Sequence, residues 1–195
     1  MKLYEQFEQE LRKIGGEAQL LEKSELLSIL DQLHHSKKEL NFSIYESSIM
    51  KKNQFEKLLR PYFSNNANWF SEKMPSSQNQ DEYRQQLLET DVAIISADYL
   101  IADSGTVVLL QSNHEGQLLT LLPPKLIVLA SNNSLLPNLP AFFKKLSTGE
   151  KEKEDSIIFI TGPSKTADIE KILVLGVHGP EEVNVLVISD DDEER

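Results

Sequence analysis

The second half of the chain contains runs of consecutive apolar residues that predict a buried sheet. The predicted strands cover residues 92–95, 106–110, 126–130, 157–160 and 183–188. Short runs without polar alternation are typical of strands that are covered on both faces. Short helical patterns lie between them, at 81–89 and 139–146. We therefore expect an α/β fold with a largely parallel central sheet flanked by helices.

The first ninety residues show the spacing of amphipathic helices joined by short strands. Leu3, Phe7, Leu11 and Ile14 repeat at intervals of four, four and three, which predicts a one-sided helix ended by Gly15-Gly16. A second helix is expected after an N-cap at Ser24, and a third over 51–60 that stops before Pro61. Short strands are expected at 18–21 and 42–45.

Polar segments predict the connections. Residues 64–80 are rich in Ser, Asn and Gln and predict a loop containing Trp69-Phe70, either as anchoring aromatics or as a lid or partner patch. A crossover or helical turn is expected at 97–103, a charged surface loop at 147–156 and a disordered acidic tail at 190–195. We predict one domain over residues 1–189, with a helical N-terminal part (1–90) and a core at 91–189.

Composition excludes several classes of function. A net charge of −11 argues against non-specific binding to nucleic acid or to anionic membranes, although it leaves room for a local basic pocket. The longest apolar stretch, 118–130, contains Lys125 and two prolines and is too short to span a bilayer. The N-terminus carries acidic residues and does not look like a secretory signal, so we expect a cytoplasmic protein. There is no cysteine, which excludes disulfides, thiol nucleophiles and cysteine-held clusters.

The segment from Ile158 to Pro180 contains the densest set of candidate site residues. A turn at Thr161-Gly162-Pro163 follows an apolar run and leads to Ser164, Lys165 and Thr166. The following residues, 166–171, predict a short helix, whose first N–H groups would be free to bind an anion beside Lys165 and Thr166. A phosphate loop is excluded because Ser164 stands where the motif requires glycine. The alternative is that Lys165 is a solvated turn residue.

A second turn offers similar chemistry. Asp103, Ser104, Gly105 and Thr106 lie between two predicted elements, and small hydroxyl residues there could cradle a phosphate or carboxylate. An ordinary tight turn with local backbone capping would use the same residues. We expect both turns at one edge of the sheet. The predicted ligand-binding set is therefore Ser104, Gly105, Thr106, Gly162, Ser164, Lys165, Thr166 and Gly179.

Candidate acids and bases are few. Asp103, Asp168, Glu170 and His178 are the candidate acids and bases of the two segments, while His114 is expected to be structural. Asp168 and Glu170 are two residues apart, so on a helix they would point in different directions, and we predict no metal site. Neither a nucleophile elbow nor a dinucleotide-binding glycine motif occurs in the sequence.

Three motifs together resemble the LUD-domain family. They are GPSKTADIE (162–170) with GVHGP (176–180), ADSGTVVL (102–109) and LLPP (121–124). Lys165 stands where arginine is common in the family, and the resemblance covers about residues 91–190. It implies the NagB/RpiA/CoA transferase-like fold, which is shared by sugar-phosphate isomerases, CoA transferases and formyltetrahydrofolate cyclo-ligase. For the lactate-utilization members, it also implies a part in the oxidation of L-lactate to pyruvate with iron–sulfur partner proteins.

The resemblance leads to three hypotheses. The first is an accessory subunit that binds a small anionic ligand or a partner and carries no cofactor of its own, since iron–sulfur clusters are expected only in the partner proteins. The second is a stand-alone enzyme acting on a small phosphorylated or CoA-linked substrate, with one of the candidate acids or bases in the reaction. The third is an interaction module that uses Trp69-Phe70 and the acidic tail. A homo-oligomer is compatible with each of them.

Overall fold

The computed structural model describes residues 2–35, 40–71, 80–111, 114–148, 156–167, 173–175 and 179–189. Within these ranges, the helices are α1 (Lys2–Lys13), α2 (Lys23–His34), α3 (Ser48–Lys52), α4 (Phe55–Phe63), α5 (Gln80–Leu88), α6 (His114–Leu119) and α7 (Leu139–Ser147). The strands are β1 (Glu17–Leu21), β2 (Phe42–Glu46), β3 (Ala67–Ser71), β4 (Val92–Ser96), β5 (Tyr99–Ile101), β6 (Thr106–Gln111), β7 (Lys125–Ser131), β8 (Leu135–Leu136), β9 (Ser156–Ile160), β10 (Lys165–Ala167), β11 (Leu173–Leu175) and β12 (Glu182–Ile188).

The central sheet has six strands, all parallel, in the order β1-β12-β7-β4-β2-β3. Successive residues of a strand face opposite sides of the sheet. Ile94 packs with α2, α3 and α4 on one side, whereas Ile95 packs with α1, α5, α6 and a second sheet on the other. Both faces are therefore covered, which explains the continuous apolar runs and confirms the predicted α/β class.

The second sheet has four strands in the order β8-β5-β6-β9. The prediction of a crossover or helical turn at 97–103 is wrong, because Tyr99–Ile101 form β5 and pair antiparallel with β6. The predicted strand at 157–160 is present as β9, but the prediction that it is fully buried is wrong. β9 lies at the end of the sheet order, and alternate side chains reach solvent, with Ile157 36% and Phe159 42% exposed.

Three N-terminal predictions need correction. In α1 the buried residues are Tyr4, Phe7 and Leu11, whereas Leu3 is exposed. The buried face of the helix therefore begins at Tyr4 and not at Leu3 as predicted. The N-cap of α2 is Glu22 rather than Ser24, because Glu22 and Glu25 form a reciprocal capping box. Pro61 lies inside the last turn of α4, where the fixed φ of proline fits the helix and only one helical hydrogen bond is lost.

The predicted loop at 64–80 contains strand β3, the edge strand beyond β2. Trp69 lies in this strand and donates a hydrogen bond from Nε1 to the Phe63 carbonyl at 3.0 Å. The Arg60 guanidinium lies 4.4 Å from the centre of the Trp69 ring and forms ion pairs at 2.7 Å with Glu46 and Glu56. Its hydrogen bond to Glu56 lowers the pKa of that carboxyl. These contacts tie β3 to α4, as expected of an anchoring aromatic.

Three predicted segments lie partly or wholly outside the described residues. They are most of the charged loop at 147–156, residues 72–79 of the predicted polar loop and the whole acidic tail at 190–195.

Replacement of Phe7 by alanine should destabilise the fold strongly. Phe7 is fully buried between the two sheets, so its removal should lower the free energy of unfolding by about 3–5 kcal/mol. Leu3→Ala on the same helix is the control and should cost about 1 kcal/mol or less because Leu3 is exposed. Urea denaturation followed by circular dichroism measures both. Equal losses would contradict the placement of α1.

Candidate functional site

The structure brings the two predicted turns together. Thr106, at the start of β6, lies with its Oγ1 3.0 Å from Oγ1 of Thr161, which follows β9. Ser104 Oγ lies 2.8 Å from the same Thr106 oxygen. The hydroxyl groups of both turns therefore form one chain of hydrogen bonds. It lies at an end of the second sheet, where β6 begins and β9 ends, rather than at the carboxyl edge of the central sheet.

The C-terminal end of α1 rests on these turns. Gly105 has φ +61°, and a Cβ there would lie 2.7 Å from Leu11 Cα, inside the contact distance of two carbon atoms. Gly162 has φ +79°, and a Cβ there would lie 3.0 Å from Ile14 Cγ1. Both glycines adopt the left-handed region that L-residues avoid, and both leave the space that the helix fills. Packing against α1 thus accounts for glycine at two of the predicted ligand-binding positions.

Lys165 and Ser164 lie beside the same helix end. Lys165 is exposed, and its Nζ lies 3.4 Å from where a Cβ on Gly15 would stand. A cation beside the last residues of a helix is favoured by the helix dipole. Ser164 N donates to the Pro180 carbonyl at 2.8 Å, and Gly179 packs directly against the Ser164 side chain. The described members of the predicted ligand-binding set are therefore neighbours in space.

The predicted helix over 166–171 is wrong where the structure describes it. Lys165–Ala167 form strand β10, which pairs antiparallel with Leu173–Leu175 of β11. These residues therefore do not form the helix N-terminus that was expected to offer its free N–H groups to an anion. Thr166 lies in this strand. Asp168, Glu170 and His178 fall outside the described residues.

The remaining candidate residues lie in a turn and at a helix start. Asp103 is exposed, and its backbone N–H donates to the Pro137 carbonyl at 3.2 Å. His114 is the first residue of α6. Within the described part of the chain, no group of three or more His, Asp or Glu side chains is arranged to hold a metal ion. In the same residues, no helix has the length and apolarity needed to cross a bilayer.

A cleft of about 500 Å³ opens at the carboxyl edge of the central sheet. Its floor includes Ser131 at the end of β7, Ile188 at the end of β12, and Asp98, which follows β4. Ligands of open parallel sheets bind at this edge, because the strands end there and the helices begin. We call this the carboxyl-edge cleft. Sequence reasoning placed no candidate residue in it.

Positive charge surrounds the cleft. Lys23 begins α2, Lys52 ends α3, and Lys145 belongs to α7, so three separate elements each contribute one lysine to the lining. The Lys145 ammonium lies 5.2 Å from the centre of the Tyr99 ring. Among the lining residues, Asp98 is the one carboxylate. It is buried, and its Oδ2 accepts a hydrogen bond from the Leu110 N–H at 2.8 Å, so β6 holds it in place.

Polar and backbone groups complete the lining. Ser131 Oγ accepts from the Asn133 N–H at 3.1 Å, and Ser134 Oγ donates to the Ser131 carbonyl at 2.7 Å. Gln54 joins α3 to α4 with φ +57°, a left-handed conformation that is uncommon for a residue other than glycine. Strained backbone of this kind is often found at functional sites.

A signal for this cleft exists in the sequence. Polar residues follow directly after the predicted strands: Asp98 comes soon after 92–95, Ser131 to Ser134 follow 126–130, and Ser189 follows 183–188. In a parallel sheet these positions converge at one edge. The lysines carry no such signal, because each resembles an ordinary solvated residue of its own helix.

Replacement of Gly105 by alanine should destabilise the protein. Alanine would need a left-handed backbone and would press on the backbone of α1, which together cost about 2–5 kcal/mol of unfolding free energy. Ser104→Ala is the control in the same turn and should cost about 1 kcal/mol or less. Urea denaturation followed by Trp69 fluorescence measures both. A Gly105→Ala variant as stable as Ser104→Ala would show that α1 does not depend on this glycine.

Known proteins are similar to this chain in fold and in sequence. A crystal structure of a DUF162 family protein from Deinococcus radiodurans matches 96% of each chain with a TM-score of 0.63 at 16% sequence identity, which supports the fold. Lactate utilization protein C of Halalkalibacterium halodurans is 41% identical over 106 residues, covering 52% of this chain and 46% of that protein. Its counterpart in Shouchella clausii is 38% identical over 116 residues, covering 57% of this chain and 51% of that protein.

The matched region thus spans about half the length of these relatives. A family model covers far more of the chain. The model described as the LUD domain matches residues 4–188. This range includes the central and second sheets and all of the helices described above except the first two residues of α1. On this match, the chain belongs to the LUD domain family.

Proposed function

We propose that this protein acts in lactate utilization, as an accessory subunit of a system that oxidises L-lactate to pyruvate with iron–sulfur partner proteins. The observation that supports this most directly is its similarity to proteins named lactate utilization protein C, within a LUD domain that covers residues 4–188. The matched part spans about half of those relatives, so the activity and the partners are part of the proposal.

The chemistry of the reaction supports a division of labour. Oxidation of L-lactate to pyruvate removes two electrons and two protons, one hydrogen from the hydroxyl group and one from the carbon that bears it, and an acceptor must take the electrons. The chain contains no cysteine, so it supplies no thiolate ligands to an iron–sulfur cluster. In the proposed system the partners carry the electrons, and this chain binds a partner or a small anion.

Affinity isolation tests the proposal. Tagged protein is purified from its native host grown on L-lactate, its partners are identified by mass spectrometry, and the eluate is assayed for lactate-dependent dye reduction. We expect iron-containing partners to co-purify together with the dye-reducing activity. The control is the same isolation from cells grown without lactate.

Two results would contradict the proposal. Lactate-dependent dye reduction by the purified chain alone would show that it is the dehydrogenase itself. Recovery of the chain without partners from lactate-grown cells would favour an independent function.

The second candidate is a stand-alone enzyme that acts on a small phosphorylated or CoA-linked substrate. The hydroxyl chain of Ser104, Thr106 and Thr161 beside exposed Lys165 favours it, because hydroxyl groups and a cation suit an anionic group. Under this hypothesis one of Asp103, Asp168, Glu170 or His178 acts as the acid or base.

Lys165→Ala distinguishes the two candidates. For the stand-alone enzyme, thermal stabilisation by a sugar phosphate or by CoA should be lost in this variant, because Lys165 would hold the anion. For the accessory subunit, the wild-type protein should show no stabilisation by these compounds that depends on Lys165. Differential scanning fluorimetry measures the shift, with Lys144→Ala as a surface control. Stabilisation that survives in Lys165→Ala would argue against the enzyme site at the two turns.

A further inference from the structure

The charges around the carboxyl-edge cleft are not balanced. Lys23, Lys52 and Lys145 lie at the same cleft, and none of them forms an ion pair with another described residue. Elsewhere in the described chain, Lys13, Lys51 and Lys125 each pair with a glutamate. With three lysines and one carboxylate in its lining, the cleft has an excess of positive charge that a bound anion would offset.

This local charge is opposite to that of the whole chain. The protein carries a net charge of −11, whereas the lining of the cleft carries three lysines and one aspartate. A positive cleft in an acidic protein attracts small anions, while the acidic surroundings repel extended polyanions such as nucleic acid. The expected ligand is therefore a small molecule.

We propose that the carboxyl-edge cleft binds a phosphorylated organic molecule about the size of a nucleotide, with its phosphate groups on Lys23, Lys52 and Lys145. The inference extends the proposed function, because it assigns a ligand to this chain that is neither L-lactate nor pyruvate. It concerns the isolated chain and does not require the iron–sulfur partners.

The size of the cleft supports a ligand of this class. At about 500 Å³, it falls within the range of about 300–1,000 Å³ that is usual for sites of cofactors and drug-sized molecules. A three-carbon acid would leave most of this volume unfilled and would place one carboxylate among three lysines. Phosphate groups carry more charge and more acceptor oxygens, and they match a cluster of ammonium groups better.

The apolar part of the lining indicates an organic body rather than a free inorganic anion. Ile49, Phe55, Leu58 and Ile188 line the cleft together with the amide side chains of Asn53 and Asn133. An inorganic anion would gain nothing from this wall, whereas a ring or chain would bury apolar area against it. The amides and the hydroxyl groups of Ser131 and Ser134 suit the polar substituents of such a body.

The backbone adds to the positive potential. The N-cap of α4 is Gln54, whose side chain makes no capping hydrogen bond, and both Gln54 and Phe55 line the cleft. The positive end of the α4 dipole is thus directed to the same space as the lysines. This feature is an addition to the lysine cluster and the cavity, on which the inference rests.

Direct binding to the purified full chain tests the inference. The probes are ADP, which has phosphates and a ring; inorganic pyrophosphate, which has the charge alone; adenosine, which has the ring alone; and L-lactate. Isothermal titration calorimetry gives the affinities, and differential scanning fluorimetry gives the thermal stabilisation. We expect ADP to bind most tightly, pyrophosphate more weakly, and adenosine and L-lactate not at all. Added salt should weaken ADP binding because the contacts are ionic.

Neighbouring lysines supply matched controls. Lys52→Ala and Lys145→Ala should each weaken ADP binding by about five- to tenfold, because each removes one charged contact to phosphate. Lys51→Ala and Lys144→Ala change the adjacent residues, which do not line the cleft, and should leave the affinity for ADP unchanged. All four side chains are exposed, so the variants should fold, and the unliganded melting temperature of each is measured to verify this.

Three outcomes would overturn the inference. The first is failure of both ADP and pyrophosphate to bind the wild-type chain. The second is an equal loss of affinity in the cleft variants and in their neighbours. The third is a loss in Lys165→Ala without a loss in Lys52→Ala or Lys145→Ala, which would place the anion at the two turns under α1. None of these results bears on partner binding, so the proposed function is tested separately.

Discussion

The close contact between helix α1 and two glycine turns is the constraint on which the arrangement of the two sheets depends. The backbone of Leu11 lies so close to Gly105 that a Cβ would overlap it, and Ile14 packs on Gly162, where a Cβ would lie 3.0 Å from its Cγ1. The same helix buries Phe7 and Leu11 in a core shared by the central sheet and the second sheet. α1 therefore packs in the same core as both sheets. Gly105 allows this close approach, since a Cβ there would overlap the backbone of the helix.

This packing changes how the signature motifs of the chain are interpreted. The turns at 103–106 and 161–165 looked like candidates for anion binding because they combine glycine, hydroxyl groups and a lysine. In the structure, contact with α1 accounts for the glycines, and hydrogen bonds between the turns engage the hydroxyls of Ser104, Thr106 and Thr161. A requirement for these residue types can thus arise from packing, independently of any ligand. Lys165 is exposed, so its ammonium group is accessible to an anion.

The sequence predicted the elements that a local pattern of residues determines, and it failed where contacts between distant parts of the chain determine the structure. The parallel strands were predictable because burial on both faces leaves continuous apolar runs, as at 92–95 and 126–130. The two turns were expected at one edge of the parallel sheet. They meet at an end of the second sheet instead, because β6 and β9 are antiparallel and the start of β6 therefore lies beside the end of β9. Errors arose where tertiary contacts decide. Pairing with β11 makes 165–167 a strand, the edge position of β9 exposes Phe159, and pairing with β2 makes 67–71 an edge strand rather than a loop. The lysine cluster at the cleft could not be foreseen, because residues 23, 52 and 145 become neighbours only after folding.

The two edges of the central sheet therefore differ in what holds them together. At the amino edge, α1 and the glycine turns are packed tightly, and Lys125 is paired with Glu182 between adjacent strands. At the carboxyl edge, three lysines lie around an open cleft without an ion-pair partner among the described residues, and the buried carboxylate of Asp98 is fixed by β6. A protein gains little stability from gathering unpaired like charges, whereas it gains affinity when a ligand brings the opposite charge. The signature motifs thus lie at the well-packed edge, and the unbalanced charge lies at the edge where parallel sheets bind their ligands.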